Sequence, residues 1–369
     1  MGKNKITQLQ GLRGLAMIGI FLMHTQTFWS SEGFGNMGEE ADNWGRIGVI
    51  AFFMLSGFLL TYKGKNIPIL SPAERLNACW MKFNKLRLLY ILTLVIAFFG
   101  YGRIPQSLVD WCYAIVSLPL CLTYTQDLIP HVGINISYNG PSWYISALFI
   151  IWIIAYTFPK NINMIRTLSI NRTIRAIILL ILVQIVYKTG EFFFPTYLIP
   201  INHSNIYMAW ISYYSPFYNF GYFILGCFLG RLALLKDFSW FLPNFLLLAG
   251  TVIIYMFLNG DIILNLFKPL LFEVFIGVLM LSIMSDRSIL KRIISIKPLV
   301  WFGNVSASFF LIHGVVNYHL RYVEDSIAKP WLFFLSFFIS LGLSIISEKY
   351  LILKKDESIL QRIKKIAQP

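Results

Sequence analysis

Charge is scarce in this chain. Only 13% of its 369 residues are Asp, Glu, Lys or Arg and 57% are hydrophobic, against roughly 25% and 45–50% in soluble domains. With a mean hydropathy of +0.66, that shortage excludes an ordinary soluble globule and indicates a polytopic membrane protein. Acidic residues are scarcer still, 17 against 31 Lys and Arg, for a net charge of +14. Cysteine is limited to Cys79, Cys112, Cys121 and Cys227. They form no CxxC pair and sit in or beside apolar runs, so buried free thiols are expected. There is no HExxH, no Walker loop and no His/Cys/carboxylate set at zinc spacing, so no metal site is expected. No 20–50-residue repeat interrupts the chain and no soluble domain is appended, which leaves one integral-membrane domain over residues 1–369. The first apolar run lacks a small-x-small cleavage site, ends in "HTQTFWSS" and contains Arg13. It reads as a membrane helix rather than a signal peptide.

What is abundant is long apolar sequence. A spanning helix takes about 20 such residues at a rise of about 1.5 Å each. Ten runs qualify, near 9–28, 47–63, 86–101, 142–158, 173–188, 215–235, 239–258, 266–285, 299–318 and 331–352. An all-α bundle of about ten transmembrane helices is therefore expected. With both termini cytoplasmic, all Lys and Arg except Arg46, Arg103, Lys188, Lys268, Arg321 and Lys329 fall on the cytoplasmic side, as the positive-inside rule requires. The stretch 107–124 carries Asp110 and Pro119. A full crossing there would invert every later loop, so it reads as re-entrant or interfacial. The positive charge is this topological signal, and no nucleic acid is needed to explain it. Trp and Tyr often lie near the ends of the runs, where interfacial rings settle. The whole suits a multi-pass protein of a bacterial plasma membrane.

Ionisable groups inside such runs are functional candidates, since each costs about 2.5–3.5 kcal/mol at mid-bilayer. In "LQGLRGLAMIGIFLMH" (9–24), Arg13 and His24 are eleven residues apart. At 100° per residue they fall within about 20° of one helix face, about 16 Å apart along the axis. One face thus carries a cation near the cytoplasmic side and an imidazole toward the outer side. Gly11, Gly14 and Gly19 admit close approach of another backbone or a ligand. Snorkelling of Arg13 and interfacial hydration of His24 are the plainer alternatives. His313, in "SASFFLIHGVVNY", also lies toward the outer end of its run. Glu273 is the only carboxylate well inside an apolar run, placed to orient a histidine or to pair with Lys268. In "MKFNKLRLLY", Lys82, Lys85 and Arg87 form either a positive-inside anchor or a phosphate clamp.

Five segments in order, "LQGLRGLAMIGIFLMH", "FFMLSGFLL" (52–60), "KFNKLRLLY", "PSWYISALFIIW" (141–152) and "FGNVSASFFLIH" (302–313), resemble the integral-membrane acyltransferase-3 family. The resemblance runs across most of the chain. It implies a bundle of about ten helices that takes an acyl group, usually acetyl from cytoplasmic acetyl-CoA. The group passes to a hydroxyl of a sugar or other envelope molecule. By position the family's first-helix arginine and histidine are Arg13 and His24. The basic pair arginine-x-x-arginine falls on Asn84 and Arg87, so only the second is kept, with Lys82 and Lys85 nearby. Gln10 stands where an aspartate is usual, and Leu148 where a glutamate is common.

The combined expectation is a donor held by Arg13, Lys82, Lys85 and Arg87, and catalysis by His24 with Glu273 and His313 as further candidates. A neutral imidazole has a pKa close to operating pH and can take the proton of an attacking hydroxyl. Ser56, Ser142, Asn304 and Ser306, with Trp143, are candidates for substrate positioning or for stabilising the oxyanion. The partners expected are an acyl-CoA, a carbohydrate or lipid-linked saccharide, and the bilayer. A transporter or flippase for a lipid-linked saccharide is the alternative from another class, although no inverted repeat or matched pair of broken helices supports it. A non-catalytic receptor for an envelope polymer is a second, with the aromatic-rich stretch 205–220 stacking on sugars.

Overall fold

The computed structural model describes residues 6–28, 37–64, 66–193, 209–238, 246, 249–250, 262–352 and 361. Among them all regular structure is helical. The principal helices are α1 (Thr7–His24), α2 (Met37–Tyr62), α3 (Pro72–Phe83), α4 (Arg87–Phe98), α5 (Leu108–Leu122) and α6 (Trp143–Thr157). Then follow α7 (Ile170–Phe193), α8 (Pro216–Leu235), α9 (Ile262–Met284), α10 (Lys297–Leu320) and α11 (Lys329–Tyr350). Six of the described stretches are long and apolar enough to cross a membrane, the first being Ala41–Tyr62 and the last Lys329–Tyr350. The run expected at 239–258 lies almost wholly outside the described residues. The helix expected at 86–101 is the twelve-residue α4, and the run expected at 47–63 belongs to the longer α2.

The core forms where small residues let helix backbones touch. α2 packs on both α1 and α8, and α1 packs on α10. At Gly57 a Cβ would fall 1.8 Å from the Phe223 carbonyl oxygen, and at Gly226 one would fall 2.0 Å from that of Met54. Such contacts are the usual way helices associate where apolar side chains gain little by leaving lipid. Gly11, Gly14 and Gly19 likewise meet backbone, at Ile294, Leu299 and Trp44, rather than a ligand. By contrast α7 and α11 turn apolar residues such as Val186 and Phe338 outward, as lipid-facing helices do.

α3 lies across the end of the bundle that carries Lys63, Lys82 and Lys85. Its start is set by Ser71, whose hydroxyl accepts from the Glu74 amide while the Glu74 carboxylate accepts from the Ser71 amide at 2.8 Å. Pro72 occupies the first turn, completing a capping box. Those hydrogen bonds hold the Glu74 carboxyl below the usual carboxylate range.

The segment 107–124 is the outgoing arm of an excursion over 101–140 that comes back to α10. At its start the Tyr101 amide donates to the Tyr318 carbonyl, and at its finish the Tyr318 hydroxyl accepts from the Gly140 amide. Both ends therefore sit on the same residue of α10. Between them α5 runs antiparallel to α4, with Phe98 against Trp111 near one end and Tyr90 against Tyr124 near the other. At the tip Tyr124 takes a left-handed backbone (φ 57°) and packs against Trp80, Phe83 and Phe149. The return arm then brings His131 back onto Tyr113. Of the four cysteines, none is paired; Cys79, Cys121 and Cys227 are buried, but Cys112 is exposed. The expectation of burial fails there because that side of α5 faces away from the bundle, with its neighbours Val109 and Val116 also exposed.

Candidate active site

Two sequence candidates from opposite ends of the chain meet in space. α1 and α10 run parallel, and their backbones touch where a Cβ on Gly303 would lie 1.8 Å from the Gln10 carbonyl oxygen and 3.1 Å from the Gly14 amide nitrogen. His24 is ten residues beyond Gly14, and His313 ten beyond Gly303. At about 1.5 Å per residue both rise about 15 Å from the contact, so they arrive at the same height. His24 Nδ1 lies 2.7 Å from His313 Nε2, and the rings are 4.9 Å apart.

The hydrogen bonds assign the tautomers. His313 Nδ1 is 3.0 Å from the Phe309 carbonyl oxygen, which can only accept, so Nδ1 carries the proton. His313 Nε2 then holds a lone pair and accepts from His24 Nδ1–H. His24 Nε2 is left as the basic nitrogen. The His313 ring is fully buried, stacked on Phe309 and edged by Phe21. Asn317, one turn past His313, donates to the His24 carbonyl at 3.1 Å. Its own side-chain oxygen accepts from the Ser336 hydroxyl. Sequence reading missed Asn317, although its i+4 spacing from His313 was a legible signal.

Arg13 stands at the junction of two cavities. The larger, about 510 Å³, lies at the α3 end and is bounded by Lys63, Lys82, Trp152 and Tyr156. The smaller, about 190 Å³, is bounded by Phe52, Tyr144, Ala307 and Phe310. Both share Arg13, Ser56, Phe83, Leu86 and Leu148, so one continuous space runs past the guanidinium. Phe310 is part of its lining, with its ring 5.9 Å from that of His313; neither His24 nor His313 lines the space itself. Among the described residues Arg13 makes neither a hydrogen bond nor an ion pair; its electrostatic neighbour is Tyr144. Leu148, where the resemblance leads one to expect a glutamate, faces the same space and leaves the cation uncompensated.

The other candidates divide. Lys82 borders the larger cavity with its ammonium 3.5 Å from the centre of the Trp152 ring. Lys85 and Arg87 border neither cavity, and the Arg87 guanidinium lies over Trp80 instead. The short 3₁₀ turn Asn84–Leu86 between α3 and α4 rotates them off the face that Lys82 occupies. Ser56 and Ser306 border the space, but their hydroxyls donate to the Phe52 and Gly303 carbonyls. Each serine has one proton, so neither offers it to an oxyanion in this arrangement. Ser142 is buried with an unpartnered hydroxyl, Trp143 packs against Tyr213 and Tyr214, and Asn304 is on the exposed face of α10. None of these three borders either cavity. Glu273 is fully buried on α9, with Gln184, Lys188 and Tyr222 as its neighbours. The structure does not bring it to the histidines, because its side chain turns toward α7 and α8 rather than toward α1.

The family model described as an acyltransferase domain matches residues 6–349. The chain belongs to the acyltransferase-3 family. Among characterised proteins, acyltransferase MdmB of Streptomyces mycarofaciens is 27% identical over 179 residues, 46% of this chain and 42% of that protein. The matched stretch thus spans less than half of that relative's length. No solved structure matches significantly. In their contacts, the space that Arg13 borders and the histidine pair lie on opposite sides of Phe310, since Phe310 lines the smaller cavity and packs on His313, while neither histidine lines either cavity.

Proposed function

We propose that this protein is a membrane acyltransferase that moves an acyl group, acetyl from cytoplasmic acetyl-CoA, to a hydroxyl of an extracytoplasmic carbohydrate. The single observation that carries this reading is Arg13, a cation without a hydrogen bond or ion pair at the junction of two cavities, the smaller of which is lined by Phe310, the ring neighbour of His313. A lone guanidinium beside a space with Lys63 and Lys82 at its mouth fits an elongated anionic donor. The topology consistent with it has about ten crossings, both termini cytoplasmic and 107–124 re-entrant, in a bacterial plasma membrane. The α3 end is then the cytoplasmic one.

In this reading the phosphates of the donor sit near Arg13, Lys63 and Lys82, and its thioester enters the smaller cavity. His24 Nε2 removes the proton of the acceptor hydroxyl as its oxygen bonds to the thioester carbonyl carbon. The C–S bond breaks, and the imidazolium returns the proton to the leaving thiolate. His313 acts through His24, as a positioning residue that fixes the tautomer with its Nε2 lone pair. No acyl-enzyme is needed, since no serine sits in a nucleophile motif.

The test is transfer of labelled acetyl from acetyl-CoA into membranes or envelope polysaccharide, comparing wild type with His24→Ala at matched expression. Label incorporated by wild type and lost in the variant is the expected result. A wild type that neither binds acetyl-CoA nor transfers label to any envelope fraction overturns the reading.

A further inference from the structure

The end of the bundle opposite α3 carries a cavity that the acyl-transfer chemistry does not use. It measures about 360 Å³ and is bounded by the top of α4 and by both arms of the excursion. Tyr113 from the outgoing arm and His131 from the return arm stack along its wall, with ring centres 5.0 Å apart and planes 25° apart. Arg103, Gln106 and Asp110 supply the polar part of the lining.

The state of each polar group narrows what could bind. Arg103 donates from Nε to the Tyr138 carbonyl at 3.1 Å and from Nη2 to that of Ile136 at 2.7 Å. With those donors spent on backbone carbonyls, and with the Asp110 carboxylate lining the same cavity, the site favours a neutral ligand over an anion. The hydrogen bonds of Asp110 all fall on Oδ2, from the Ser107 hydroxyl at 2.8 Å and the Ser107 and Gln106 amides. Oδ1 is left to accept. His131 Nδ1 is shielded from solvent and has no hydrogen-bond partner. A ring face beside a carboxylate acceptor suits a neutral, hydroxyl-rich ring, whose C–H face packs on the aromatic pair while a hydroxyl donates to the acid.

The site is also pre-built. Two of its residues hold left-handed backbone, Gly102 at φ 65° and Tyr138 at φ 56°. Glycine adopts that region freely, but a tyrosine is held there only when its surroundings over-determine it. Here Arg103 grips the Tyr138 carbonyl, and the Tyr138 hydroxyl donates to the Ala114 carbonyl at 2.8 Å. The next residue, Asn139, donates to the Leu311 carbonyl at 2.8 Å, two positions before His313. Tyr138 and Asn139 therefore join the cavity wall directly to α10, the helix that carries His313.

We propose that this cavity is a subsite for a neutral sugar ring of the acyl acceptor, distinct from the ring that is acylated. The word acceptor rests on the function proposed above; the binding of a neutral sugar does not. Leu108 and Val109 beside it are exposed apolar residues, so the ring arrives either on a lipid carrier or on a free glycan.

The test uses the full-length protein in lipid nanodiscs, titrated with neutral trisaccharides of glucose, galactose, rhamnose and N-acetylglucosamine. Each is offered free and on a dodecyl chain, with acetyl-CoA binding measured on the same samples. At least one sugar binds wild type; Tyr113→Ala and Asp110→Asn weaken it tenfold or more, while Tyr113→Phe, which keeps the ring, does not. Acetyl-CoA binding by Tyr113→Ala at the wild-type level shows that the variant is folded; should it not fold, Asp110→Asn decides. Tighter binding of the dodecyl form assigns the lipid-linked source, and equal binding the free one. A panel in which nothing binds wild type, or binding that Tyr113→Ala or Asp110→Asn leaves unchanged, overturns the subsite. Sugar binding with this mutational pattern but no acetyl-CoA binding by wild type overturns the acyl-transfer reading and leaves the subsite standing.

Discussion

Gly14 and Gly303 meet backbone to backbone, and the two histidines each stand ten residues further along their helices. The contact therefore sets the register that the 2.7 Å imidazole pair needs. Gly303→Ala places a methyl 1.8 Å from the Gln10 carbonyl oxygen, which only separation of α1 and α10 relieves. Overpacking of this kind costs about 1–3 kcal/mol, and the histidine pair is lost with it. A lowered unfolding temperature in detergent and loss of acetyl transfer are expected together. Gly342→Ala, with nothing within 4 Å of the new carbon, is expected to leave transfer unchanged and not to lower the unfolding temperature.

The tautomer chain from the Phe309 carbonyl through His313 to His24 gives the two imidazoles unequal roles. His24→Ala is expected to lower acetyl transfer by about 10²–10⁴-fold, the usual contribution of a general base. His313→Ala is expected to lower kcat with little change in KM for acetyl-CoA and to displace the pH–rate profile, because the Nδ1–H of His24 loses its acceptor. The double variant is expected to be little worse than His24→Ala, since residues acting as a unit are not additive. A double variant whose loss equals the product of the two single losses would show that the imidazoles work independently.

Much of this site was legible in the sequence, and the residues that were not share a cause. Arg13 and His24 could be placed on one face of one helix because 3.6-residue periodicity acts within a segment. His313 could be singled out as an imidazole in an apolar run, but its pairing with His24 spans 289 positions. That pairing depends on a crossing point fixed by glycines, which leave no periodic signal of their own. Lys85 and Arg87 were grouped with Lys82 by proximity in sequence, which the 3₁₀ turn at Asn84–Leu86 breaks. Glu273 stands out as a carboxylate in an apolar run, but a place in such a run does not say which neighbours it faces. Charge bias, which reports on loops, made 107–124 an expected re-entrant or interfacial segment. The sharing of Tyr318 by the two ends of the excursion was not legible, since it lies in a backbone amide and a hydroxyl.

The division among the basic residues leads to opposite outcomes for neighbours in sequence. Arg13→Gln and Lys82→Gln are expected to raise the apparent KM for acetyl-CoA roughly tenfold each, the scale of one charge-assisted hydrogen bond. Arg87→Ala, whose guanidinium rests on Trp80, is expected to leave that KM within about twofold while loosening the base of α4. Isothermal titration with acetyl-CoA on the three variants separates the outcomes. Weakened binding by Arg87→Ala with normal binding by Arg13→Gln would reverse the assignment.

Glu273 offers a check of the opposite kind. Its neighbours are Gln184, Lys188 and Tyr222, and none of these touches His24 or His313. Glu273→Gln keeps the shape of the side chain and removes its ability to ionise. Acetyl transfer by the variant is expected to stay within about threefold of wild type at every pH. A loss approaching that of His24→Ala would mean that the carboxylate serves the histidine pair after all.

The capping box at the start of α3 makes the helix that carries Lys82 sensitive to acid. The Glu74 carboxyl is held below its ordinary range by the Ser71 amide and hydroxyl, so the folded cap favours the ionised form. The stabilisation is therefore complete above the unfolded-state value and disappears as the pH falls through the lower, folded-state one. Acidification into that window is expected to speed amide hydrogen exchange at Ser71, Glu74 and Arg75, after correction for intrinsic rates, before it affects α1 or α10. Glu74→Gln retains an acceptor but not the charge, and its exchange over the same residues is expected to be faster at neutral pH and flat across the acid range. An acid-dependent rise that persists in Glu74→Gln would place the titrating group elsewhere.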